Sequence, residues 1–113
     1  MKEFLLLFRA PQMEGYEPTP EELQAGMQQW QTWIGDISAQ GKFVATNQLG
    51  EEGCVVNPGA AIVDGPVANG QQTVGGYMIV KTDTIEDATE IAKGCPIFGY
   101  GGNVEVRDIM VFN

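Results

Sequence analysis

Asp64 carries the sharpest chemical suggestion in the chain, because it opens the run Asp64-Gly65-Pro66-Val67. A carboxylate there can act as a general base, or hold a ligand's hydroxyl or amine. As a base it needs partial burial to keep its proton affinity high. The competing reading is structural. Asp side chains bond nearby backbone amides, and Asp-Gly-Pro is turn chemistry in any protein. The candidate ligand contacts are Arg9, Trp33, Gly65 and Pro66. Arg9 closes an apolar run, where a guanidinium can clamp a carboxylate or phosphate bidentately. A structural pairing of Arg9 with Asp64 is the alternative. Trp33 lies beside the apolar stripe of a helix and either lines a pocket or packs in the core. Gly65 and Pro66 belong to the turn that carries Asp64. Among the remaining candidates, Arg107 is expected to pair with an acid across the sheet. Trp30 and Tyr77 read as core residues, with the Tyr77 hydroxyl satisfied.

Other chemistry is excluded more firmly. The chain has no histidine. That removes the side chain that titrates near neutrality unaided and the commonest transition-metal ligand. Nucleophiles activated by histidine are excluded with it. The two cysteines, Cys54 and Cys95, show no C-x-x-C spacing and read as small buried hydrophobes. The glycine-rich residues 99–102 lack the Lys and Ser/Thr of a phosphate loop and read as a flexible loop. No metal and no cofactor is expected.

Composition narrows the partners. Six basic and 15 acidic residues give a net charge of −9 over 113 residues. Such a surface repels nucleic-acid backbones and anionic membranes alike. The apolar run near the N-terminus, residues 4–8, ends at Arg9. It is too short for a signal peptide or a membrane span. A cytoplasmic, single-domain protein is the expectation, with the length fitting one core.

The elements that must position these residues follow from patterning. Residues 2–9 read as a strand apolar on both faces: Phe4, Leu6 and Phe8 on one, Leu5 and Leu7 on the other. Thr19-Pro20-Glu21-Glu22 reads as a helix start, with Thr19 as cap and Glu22 as its capping-box partner. Leu23, Met27, Trp30, Ile34 and Ile37 then make one apolar stripe, ending near Gly41. Residues 42–49 predict a second strand. Residues 54–63 predict a hairpin turning at Asn57-Pro58-Gly59. A polar loop over residues 64–73 leads to a strand over 75–81, where Gly75 and Gly76 predict a bulge or a close backbone approach. A second helix starts near Asp83 or Thr84 with Ile85, Ala88, Ile91 and Ala92 on its apolar side, and stops at Gly94. The last strand is expected over residues 103–112.

The order β-α-β, hairpin, β-α-β is a split βαβ of the ferredoxin-like type with an inserted hairpin, an α+β fold. Two helices cover only one face of such a sheet. The first strand is apolar on both, so the other face needs a partner, and a second copy of the chain is expected there.

Several segments together resemble the YCII-related family, in its DGPF branch. They are Val63-Asp64-Gly65-Pro66-Val67, Gly75-Gly76-Tyr77-Met78-Ile79, Ala92-Lys93-Gly94-Cys95-Pro96 and Gly102-Asn103-Val104-Glu105-Val106-Arg107. The opening Lys2-Glu3-Phe4-Leu5-Leu6-Leu7 is similar to the family's first strand. The ordered set runs over nearly the whole chain. The resemblance implies a dimeric α+β barrel, in which two sheets pack face to face. The family has no well-established activity, but an Asp has been suspected of catalysis, which points to Asp64 at the barrel mouth. Val67 departs from the family's usual Phe. Asn69-Gly70-Gln71-Gln72 stands where the family tends to carry charges. Two functions are therefore expected. One is a small-molecule-binding domain, or a cofactor-free enzyme using Asp64, with its pocket between the first helix and the sheet and Asp64 and Arg9 as its polar groups. The other is a non-catalytic dimeric regulatory or accessory module.

Overall fold

Strand β1 (Lys2–Pro11) is the centre of the molecule, and its two apolar faces have different fates. In the computed structural model, which describes residues 1–11, 18–65, 68–69 and 72–112, Phe4, Leu6 and Phe8 are buried while Leu5 and Leu7 are half-buried. Strands β6 (Gln72–Thr82) and β7 (Asn103–Asp108) flank β1, and β2 (Phe43–Gln48) lies outside β6, all antiparallel, in the order β2-β6-β1-β7. The short β5 (Ala68–Asn69) pairs with the start of β6. This is the split βαβ expected from the sequence.

Two helices pack on the face of Phe4, Leu6 and Phe8. Helix α1 (Pro20–Ala39) starts as its cap sequence dictates: Pro20 is its first residue and the Thr19 hydroxyl accepts from the Glu22 amide at 3.1 Å. Helix α2 (Ile85–Lys93) is capped likewise, Thr84 Oγ1 accepting from the Asp87 amide at 3.2 Å. Between them and the sheet, Trp33, Ile37, Ala88, Ala92 and Ile97 meet Leu6, Met78 and Val80. Each large apolar side chain taken fully out of water contributes roughly 1.5–3 kcal/mol.

Four local expectations are corrected. The hairpin forms as β3 (Cys54–Val56) and β4 (Ile62–Asp64), but Ala60 and Ala61 belong to its turn. The Asn57 amide donates to the Ala61 carbonyl, and Gly59 and Ala60 both take positive φ, 84° and 66°, which a strand cannot hold. Residues 99–102 are not a free loop. Pro96–Tyr100 form a short 3-10 helix that buries Ile97, and a Cβ on Gly102 would run into the Arg9 carbonyl and Ile97. Strand β7 stops at Asp108, opposite Phe4 of β1, and Met110, Val111 and Phe112 are exposed. Tyr77 lies on the sheet face away from the helices, its hydroxyl accepting from Asn47 Nδ2 at 2.8 Å. Gly75 and Gly76 do both things expected of them. The β1–β6 register slips between Phe8↔Gly76 and Arg9↔Val74, leaving Gly75 without a partner on β1. A Cβ on Gly76 would stand 2.9 Å from the Asn47 carbonyl oxygen.

Candidate ligand-binding cleft

Helix α1 is only half docked. Its stripe is buried at Trp33 and Ile37, but at the N-terminal end Leu23 is 54% and Met27 61% exposed. The helix leaves the sheet there and opens a cleft of about 1140 Å³. Leu23, Met27 and Trp30 line it from the helix. Phe8 and the bare backbone of Gly75–Gly76 line it from the sheet, and Ile97 and Tyr100 from the 3-10 helix. Gln31, Thr46, Gln48 and Glu22 supply its polar edge.

Three rings pack together at the cleft's inner end, of which Phe8 and Trp30 line it. Phe8, Trp30 and Trp33 meet edge to face, with centroids 5.2 Å (Phe8–Trp30), 5.9 Å (Phe8–Trp33) and 5.6 Å (Trp30–Trp33) apart. Such geometry contributes roughly 0.5–1.5 kcal/mol per pair beyond burial. Trp33 is the anchor: it is 8% exposed, and its Nε1 donates to the Ile91 carbonyl at 3.1 Å. Gly94 makes room for it, since a Cβ there would stand 3.3 Å from that nitrogen. Trp30 is half-buried and presents its ring to the cleft. Tyr100 reaches across to α1 at Gly26, where a Cβ would stand 2.6 Å from its hydroxyl.

The residues singled out from the sequence lie elsewhere. Asp64 is exposed at the end of β4, opposite Cys54, and is not among the residues lining the cleft. Gly65 follows it with φ +80°, its amide donating to the Gly53 carbonyl at 2.8 Å. Pro66 lies outside the described residues. Arg9 is part-buried on the sheet face away from the helices, where its Nη1 donates to Glu105 Oε1 at 2.5 Å. Its alternative pairing with Asp64 does not form, because Glu105 on the neighbouring strand takes the guanidinium. Arg107 binds the other oxygen of Glu105 at 3.2 Å, along its own strand and not across the sheet. The two guanidiniums hold the Glu105 carboxyl below its ordinary value, Arg9 having the larger effect. Trp33 borders a shallower groove on the other side of α1, with Gln29 and Asp36.

The cysteines differ. Cys95 is buried, and burial pushes its thiol up to about 11 against a smaller opposing hydrogen bond to Ile97. Cys54 is exposed, because its hairpin forms a separate two-stranded sheet. Among the described residues, no three His, Cys, Asp or Glu side chains converge as a metal set. No helix there is long and apolar enough to cross a membrane.

The cleft lies where the sequence leads one to expect a pocket, between α1 and the sheet, and Trp30, not Trp33, is among the residues that line it. The available signal was position: Trp30 continues the stripe of Leu23 and Met27 on α1.

The family profile of the YCII-related domain matches residues 3–113. The chain belongs to the YCII-related family. Among solved structures, this YCII-related chain is similar to 5-chloro-2-hydroxyhydroquinone dehydrochlorinase (TftG) from Burkholderia phenoliruptrix AC1100, in complex with 2,5-dihydroxybenzoquinone. The identity is 12%, the TM-score is 0.49, and the match covers 95% of this chain and 93% of that one. No curated protein matches the chain.

Proposed function

We propose that this YCII-related domain binds a small molecule in the cleft between the N-terminal half of α1 and the sheet. One observation carries the reading. Leu23 and Met27, the unburied half of an otherwise continuous apolar stripe, face a cleft that Trp30, Phe8 and Tyr100 wall with rings. Concave, mostly apolar sites with a few polar groups at the edge are where small ligands bind. The test is to analyse by mass spectrometry the small molecules that co-purify with the wild type and with Trp30→Ala. The reading expects at least one compound retained by the wild type and lost from the variant. Identical profiles, with both proteins folded, contradict it.

The non-catalytic module is the form of this reading that the cleft favours. Among the described residues, its walls present amides, a hydroxyl, a phenol and a single carboxylate, Glu22. A role for Asp64 as base remains a proposal that a ligand-bound structure tests: it requires the Asp64 carboxylate within hydrogen-bond reach of the bound molecule.

We also propose that the domain acts as a homodimer through the sheet face away from the helices. Leu5, Leu7, Tyr77 and Ile79 are half-buried there, and among the described residues no helix packs above them. Arg9, Lys81 and Arg107 share that side with Glu3 and Glu105, so the face is nearly balanced in a chain of net charge −9. A second copy meets least electrostatic resistance at this face.

A further inference from the structure

The chain has six basic residues, and all six are described: Lys2, Arg9, Lys42, Lys81, Lys93 and Arg107. None of them lines the cleft. Arg9 and Arg107 are engaged with Glu105, and Lys93 with Glu90 at 2.6 Å. A carboxylate or phosphate entering the cleft would therefore leave water without a counter-charge, inside a chain of net charge −9. Among the described residues, the one carboxylate lining the cleft is Glu22, in the first turn of α1. The helix's own N-terminal field already favours a negative charge there, so Glu22 makes no demand for a cationic ligand.

What the walls do offer is flat and neutral. Trp30 comes from the helix and Phe8 from the sheet, with the side-chain-free backbone of Gly75–Gly76 next to Phe8 on the sheet. Rings stack on rings, and a bare strand backbone lets a planar group approach closely. Gln31, Gln48 and the Tyr100 hydroxyl are neutral groups that both donate and accept hydrogen bonds.

We infer that the occupant of the cleft is an uncharged planar aromatic compound bearing neutral hydroxyl, carbonyl or ring-nitrogen groups, and that the site rejects anions. The inference rests on the cleft being the ligand site. The test uses matched probes at neutral pH: 2-naphthol, 2-naphthoate and the ammonium form of 2-naphthylmethylamine. Binding is measured by calorimetry, with the Trp30 indole N–H followed by NMR. The expected result is saturable binding of 2-naphthol with a shift of Trp30, and 2-naphthoate weaker by about tenfold or more, the weight of an unpaired buried charge. Gln48→Lys places a cation at the cleft edge and should strengthen 2-naphthoate binding relative to 2-naphthol binding. Binding of 2-naphthoate or of the ammonium probe at least as tight as that of 2-naphthol, with Trp30 shifted, overturns the ligand class while leaving the cleft as a site. Failure of all three probes to shift Trp30 overturns the ligand class and the site together.

Discussion

Trp30 and Trp33 lie one turn apart on α1 and touch each other, yet they have opposite tasks. Trp33 is enclosed and hydrogen-bonded to α2, so Trp33→Ala should cost about 3–5 kcal/mol, the usual weight of a large core truncation. Trp30 is half-buried, so Trp30→Ala should cost roughly 1–2 kcal/mol, in line with the smaller area it hides. Denaturant unfolding of the two variants checks this ordering. The Arg9–Glu105–Arg107 cluster belongs to the same scale. The folded Glu105 carboxyl is held below its ordinary 4.5. Its stabilisation is complete above the unfolded value and disappears as pH falls through the lowered folded one. Arg9→Gln should therefore be less stable than the wild type at neutral pH, and the gap between their melting temperatures should close as acid is added. A gap that widens in acid contradicts the pairing. The cluster was only half legible in the sequence. Arg9 was recognisable as a charge ending an apolar strand, but its partner depends on which strand lies next to β1. That neighbour is β7, whose Glu105 comes 96 residues after Arg9 in the chain.

The elements with local signals were legible nearly to the residue. Thr19-Pro20 and Thr84 announce helix starts through side-chain oxygens that cap free amides, a property of a few adjacent residues. The 3-10 helix over Pro96–Tyr100 was missed because its glycines suggest looseness, whereas tertiary contact at Gly102 and burial of Ile97 hold the segment in place. The half-docked state of α1 was also invisible, since Leu23 and Met27 continue the stripe without a break. Strand β6 shows how an element can shape the cleft by omitting side chains. Gly76→Ala would push a methyl against the Asn47 backbone carbonyl, which belongs to a strand and cannot swing away. The expected cost is about 1–3 kcal/mol, the scale of an overpacked site, measured as a lower denaturation midpoint. Gly75→Ala has open space before its Cβ and should cost distinctly less.

At the scale of the whole molecule, the sheet separates two surfaces with different chemistry. The helix side carries the cleft, while the opposite side carries Leu5, Leu7, Tyr77 and Ile79 among nearly balanced charges. The proposal of a second copy there rests on β1, because a strand apolar on both faces needs two covers. Light scattering should give a dimer at micromolar concentration, and Ile79→Asp should give a folded monomer. A monomeric wild type contradicts the assembly. The central claim, that the cleft beside Trp30 is the ligand site, has a direct test in protein-detected NMR with a library of small aromatic fragments. The account predicts that chemical-shift changes gather on Phe8, Met27, Trp30, Gly76 and Tyr100, and fade in Trp30→Ala. Changes centred instead on Asp64 and Gly65, or on the shallow groove beside Trp33, would contradict it.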